Sequence, residues 1–249
     1  MNLVRDTVIL LAGATGRVGG ATLATLLAEG AHVAVISRDS ERAQSAIDAA
    51  LGRVERSRGL ALSADLDDPA SASTAVDACI AAFGRLDALV NLAGSGAGRK
   101  PLVETNLDDL RFTVRAFAET AYNLALPALR AMLAQPYREG ARSRGRIVTV
   151  TAGSSKAPAP GRGAFATAKA GVNALMLAIA REHKNDGIVA NALVLGGVAF
   201  AGAESFYSAA DLAAAATPQE VADVLTFLAS DRATGINGAL VDLNAREID

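Results

Sequence analysis

VILLAGATGRVGGATLATLLAEG, residues 8–30, decides the fold. It opens on an unbroken apolar run of strand length, the pattern of a strand covered on both faces. Gly13, Gly16 and Gly19 follow at three-residue spacing, and from Val18 the chain turns Ala- and Leu-rich, as a helix does. Strand, glycine turn and helix in that order start a βαβ unit. Missing side chains at such a turn let a pyrophosphate approach backbone N–H groups and a helix N-terminus. Gly13, Thr15, Gly16, Arg17, Val18 and Gly19 are therefore candidate cofactor contacts. The same glycines also suit a strand and a helix that simply pack closely, and both readings stand.

Working outward, apolar runs of strand length recur near 7–12, 32–36, 59–63, 87–91, 146–151, 188–194 and 239–243. Between them lie helical patterns near 18–29, 40–52, 69–82, 107–134, 164–184 and 217–229, several preceded by capping residues or Pro. The alternation predicts an α/β fold, a Rossmann-type doubly wound parallel sheet of about seven strands with helices on both faces. No linker or repeat divides the chain, so residues 1–249 read as one domain.

Composition excludes several classes. The formal net charge is -2 and the cations are dispersed, so no nucleic-acid partner is expected. The basic stretch REGARSRGR, 138–146, reads as a solvated loop. The apolar runs look too short to span a bilayer and the N-terminus carries no cleavable pattern, which predicts a cytoplasmic protein without a membrane partner. Cys79 is the lone cysteine, in an apolar helical setting that suits an inert core thiol. His32 and His183 are isolated, and no metal site is expected.

The second strand ends in VISRDSER. Ser37 stands where an acidic ribose reader is common, and Arg38 beside it suits a 2'-phosphate, pointing to NADP(H) over NAD(H) as the cofactor if one is held. A solvated surface arginine fits the same pattern.

With GATGRVG, SADLDD, NLAG and FATAKAG in this order, the chain resembles the short-chain dehydrogenase/reductase family over residues 7 to 243. The resemblance implies that Asp65 and Leu66 lie near an adenine, and that Asn91, Ala93 and Gly94 shape the cofactor site. It also implies a reaction in which a Tyr moves a proton at a carbonyl oxygen, a Lys four residues later lowers the phenol pKa, and a Ser holds the oxygen. Here Phe165 stands at the Tyr position, Ala152 at the Ser position and Phe117 at the position of a structural Asn, while Lys169 is retained. Where the family has Pro-Gly and a Thr that holds the carboxamide, this sequence has Leu195-Gly196 and Phe200. Arg17 replaces the middle glycine of the family's usual loop.

Lys169 keeps two readings: a contact to the nicotinamide ribose, or a helix residue with a packed stem. For the whole chain the replacements favour a catalytically inactive subunit with a structural or regulatory role. It would form a homo-oligomer, or a hetero-oligomer with an active family member, through helices 107–134 and 164–184. Two other readings remain: an NADP(H)-dependent reductase with an unconventional donor (water, substrate, Ser154, Ser155, Lys156 or Tyr122), and a nucleotide-sensing module without turnover.

Overall fold

The computed structural model describes residues 2–52, 55–94, 98–200, 202–203, 212 and 215–243. A single seven-stranded sheet runs through them, built from β1 (Val8–Ala12), β2 (His32–Ser37), β3 (Gly59–Ser63), β4 (Ala88–Asn91), β5 (Gly145–Ala152), β6 (Ile188–Leu195) and β7 (Leu240–Leu243). Every pairing is parallel and the order is β3-β2-β1-β4-β5-β6-β7. Strand order reverses direction between β1 and β4. A crevice opens at the carboxyl ends there, where helices depart to opposite faces.

Side-chain alternation along β1 sorts the core into two layers. Ile9 and Leu11 face α1 (Arg17–Ala28), α2 (Ser40–Leu51) and α7 (Pro218–Leu228), meeting Leu23, Ile47 and Leu225. Leu10 faces the other side, where α3 (Pro69–Phe83), α5 (Thr120–Ala134) and α6 (Gly163–Glu182) contribute Val76, Leu124 and Met176. Cys79 lies fully buried in that second layer, and burial pushes its thiol up to about 12, which keeps it un-ionised. By length and composition α6 could cross a membrane, unlike the short runs expected from sequence, but it packs against β5, β6 and α4 (Leu107–Val114).

The helix expected over 107–134 is not regular throughout. A π-helical turn, Arg115–Glu119, joins α4 to α5. Thr120 Oγ1 donates to the carbonyls of Ala116 and Phe117 at 3.1 and 3.3 Å, drawing on acceptors within that turn. A π turn inserts a residue into the helical phase, a feature that a 3.6-residue period does not register. α4 itself starts at a capping box: Asn106 Oδ1 accepts from Asp109 N–H at 2.9 Å, and Asp109 Oδ2 accepts from Asn106 N–H at 3.0 Å. Asn106→Ala is expected to cost about 1 kcal/mol. In a thermal melt this should read as a fall of about 2–4 °C.

Candidate functional site

The carboxyl ends of β1 to β4 enclose a cleft of about 540 Å³. It brings together eight of the predicted residues: Gly13, Thr15, Ser37, Arg38, Asp65, Leu66, Ala93 and Gly94. Gly16, Arg17, Val18, Gly19, Asn91 and Lys169 do not line it. Arg42 and Arg115 do, and sequence reasoning missed both. Arg42 was findable, since it lies four residues after Arg38 in the opening turn of α2; Arg115 reaches the cleft through the π turn, which left no mark in the sequence.

Local hydrogen bonding fixes these walls. Asp39 caps α2, its Oδ1 accepting from Glu41 N–H and Arg42 N–H at 2.9 and 3.2 Å, and Ser37 Oγ accepts from Asp39 N–H at 3.2 Å. Asp65 Oδ1 accepts from Asp67 N–H at 3.1 Å, and Asn123 Nδ2 donates to the Leu66 carbonyl at 3.0 Å. Asn91, 2% exposed, turns the exit of β4 by accepting from Ala93 N–H at 2.9 Å. Its role is to shape the loop from beneath.

The glycines divide between the two readings. Gly13 has φ +86°, and a Cβ there would stand 2.8 Å from the Leu92 carbonyl carbon. At Gly19 a Cβ would run into the Gly13 carbonyl oxygen. Those two answer to the fold. Gly16 has φ -86°, and a Cβ there would meet only the Gly13 oxygen, at 3.5 Å. It is the N-cap of α1, exposed and without a side-chain cap, so close packing does not explain it. A substitution at Gly13 would therefore test folding, and one at Gly16 the approach of a phosphate.

Beyond Gly94 the chemistry changes. Phe117 and Phe165 pack edge to face, with ring centroids 5.1 Å apart and planes at 81°. Lys169 lies behind them, 8% exposed, with Nζ donating to the Val150 carbonyl at 2.9 Å. Its ammonium sits 4.6 Å from the Phe117 centroid and 6.0 Å from that of Phe165. Burial lowers Lys169 to about 8, with no carboxylate among the causes. Of its two readings, the packed residue is closer to the observed geometry. The Phe117 ring also lies directly against Gly94, where a Cβ would strike Cε1 and Cδ1.

The remaining groups are committed elsewhere. Ser155 Oγ donates to the Ala152 carbonyl at 2.6 Å and accepts from Asn173 Nδ2 at 2.7 Å. Lys156 Nζ pairs with Asp242 at 2.6 Å, Thr151 is 2% exposed, and Tyr122 is 51% exposed on α5. Ser154 is half-buried in the turn after β5. Past β6, the Arg17 guanidinium lies 4.0 Å over the Phe200 ring, tying the glycine loop to the segment that follows Leu195-Gly196.

Known proteins match this chain over most of its length. The short chain dehydrogenase family profile matches residues 7–210. The A-factor type gamma-butyrolactone 1'-reductase (1S-forming) of Streptomyces virginiae is 30% identical, over 95% of this chain and 93% of its own. The 3-oxoacyl-acyl-carrier-protein reductase FabG of Escherichia coli K12 is 29% identical, over 95% of each chain. Among solved structures, a Serratia marcescens short-chain dehydrogenase/reductase superimposes with a TM-score of 0.83 at 25% identity, covering 98% of both chains. Sheet order, glycine turn and sequence agree from one end of the sheet to the other: the chain belongs to the short-chain dehydrogenase/reductase family.

Proposed function

We propose that this member of an oxidoreductase family is a catalytically inactive subunit with a structural or regulatory role, assembled with itself or with an active family member. One observation carries the reading: two phenyl rings, Phe117 and Phe165, cover Lys169 where the family resemblance places a phenol and an amide. Phenyl has no proton to give. General acid–base catalysis supplies on the order of 10²–10⁴-fold, and donors to a developing oxyanion add comparable factors, so the loss of both removes roughly 5–9 kcal/mol of transition-state stabilisation. Among the substitute donors that the sequence offers, Ser155 and Lys156 are engaged and Tyr122 lies on the exposed face of α5.

An exposed apolar patch supports assembly. Leu102, Val103, Leu107 and Phe112 are 71, 96, 57 and 59% exposed around the start of α4, next to an open groove between α4 and α6. Large apolar side chains left exposed this close together in sequence suit an interaction site. Of the family's dinucleotides, the phosphorylated one suits the cleft best at its adenosine end, since Arg38 and Arg42 both line it. The test is an absorbance assay of NADPH oxidation with quinones and β-keto thioesters, run beside light scattering. A rate equal to buffer and a mass of two or more subunits are expected. Sustained turnover with any of these substrates would sink the proposal.

A further inference from the structure

The arginine-rich run REGARSRGR, 138–146, reads in sequence as a solvated loop, but in the structure most of it is anchored. It leads into β5 at the amino end of the sheet, away from the cleft, and folds onto Asp231 in the turn after α7. Arg138 Nη2 donates to Asp231 Oδ2 at 2.7 Å, Arg142 N–H donates to Oδ1 at 3.3 Å, and Arg146 Nη2 donates to Oδ1 and, at 3.3 Å, to Thr234 Oγ1. Arg144 donates to the Leu133 carbonyl at 2.8 Å and stacks on Tyr137. Of the four arginines only Arg142 is exposed.

Charge does not balance there. Arg138 and Arg146 share one carboxylate, and a buried guanidinium is costly unless it is fully paired. Burial lowers the Arg146 pKa, Asp231 opposes that, and Arg138 adds to it. The next carboxylate, Asp87, is committed to Arg85 at 2.8 Å and to Val8 N–H at 2.9 Å. Hydrogen bonding does not close either. Among the described residues, Arg138 Nε, Ser143 Oγ, Arg144 Nε and Arg146 Nε are buried without a partner, and Ser143 and Arg146 are 3 and 2% exposed. Buried donors left unmade are costly and rare, and guanidinium N–H groups beside a hydroxyl suit an oxyanion. Solvent reaches the rim, where the Arg138 and Asp231 side chains are 27 and 29% exposed.

We propose that this cluster is an oxyanion site, in which a phosphate or sulfate group accepts from Arg138, Ser143, Arg144 and Arg146 and balances the positive charge that Asp231 leaves over. Bound there, it ties the α5–β5 loop to the turn after α7, independently of any nucleotide in the cleft.

Calorimetry of the intact protein with inorganic phosphate tests it, beside melting temperatures in phosphate and in chloride at equal ionic strength. Phosphate is expected to bind saturably and to raise the melting temperature by about 3 °C or more over chloride. Arg138→Gln, a change at the rim, should weaken phosphate about tenfold, and Ser143→Ala about threefold. Asp231→Asn should tighten it about tenfold, since the competing carboxylate loses its charge. Arg38→Ala, in the cleft, should change nothing, with circular dichroism confirming the fold of each variant. O-phosphoserine separates the sources: binding like that of phosphate supports a site for a phosphoryl group on a larger ligand, and exclusion supports one for the free ion. A rise in melting temperature that does not saturate, or that chloride matches, overturns the site. So does binding lost in Arg38→Ala and kept in Arg138→Gln, which would put the phosphate in the cleft.

Discussion

Ala152→Ser combined with Phe165→Tyr is expected to leave NADPH-dependent reduction of a β-keto thioester at the buffer rate, while adding Phe117→Asn raises it at least about 100-fold. The double variant restores a hydroxyl at the end of β5 and a phenol one helical turn before Lys169, whose ammonium is 6.0 Å from the ring centroid at 165. These groups supply proton transfer and orientation, but they act on a substrate only if a hydride donor lies beside it. Phe117 bears on that, because its ring rests on Gly94 and covers Lys169, 4.6 Å from the ammonium. An Asn at 117 removes the phenyl cover from Lys169 and gives its ammonium a polar neighbour. Activity from the double variant alone would mean that the nicotinamide side is already open and that Phe117 obstructs nothing. A triple variant as silent as the double would move the obstruction to Phe200 and Arg17.

The fold was legible because it rests on periods that survive one sequence at a time. Continuous apolar runs mark strands covered on both faces, and β1 to β7 fall within a residue or two of the runs that announced them. The cleft was legible in part, through residues tied to strand ends, such as Ser37, Arg38 and Asp65. Arg115 was not, because its position depends on a π turn whose extra residue changes which side chain faces which wall. In the structure Phe117 meets both Gly94 and Lys169. The glycine motif looked uniform in sequence, yet Gly13 and Gly19 answer to backbone contacts and Gly16 does not. Spacing cannot separate those causes, since each depends on what lies across the turn in space.

Lys169→Met should stabilise the protein at pH 7 by about 2–3 kcal/mol, a gain in melting temperature of about 4 °C or more. The ammonium is almost fully buried and gains one carbonyl partner and an aromatic face, with no carboxylate to offset its desolvation. Its pKa accordingly falls from 10.5 to about 8 in the folded protein. Below pH 8 the charge is present in both folded and unfolded chains and its burial cost is carried in full. Between about 8 and 10.5 the folded protein has released a proton that the unfolded chain still binds, so this group makes stability rise with pH, and above that window the cost is gone. A shift of that size corresponds to about 3 kcal/mol, from which the cation–π contact with Phe117 subtracts a part. Denaturant melts of the two proteins from pH 7 to 11 isolate the residue, since other groups that titrate there are common to both. The difference should be largest at pH 7 and close as pH passes 10.5. Were Lys169→Met instead to destabilise at pH 7, the amine would be holding a favourable charge interaction in this site, and its reading as a packed remnant of the family's machinery would have to be abandoned.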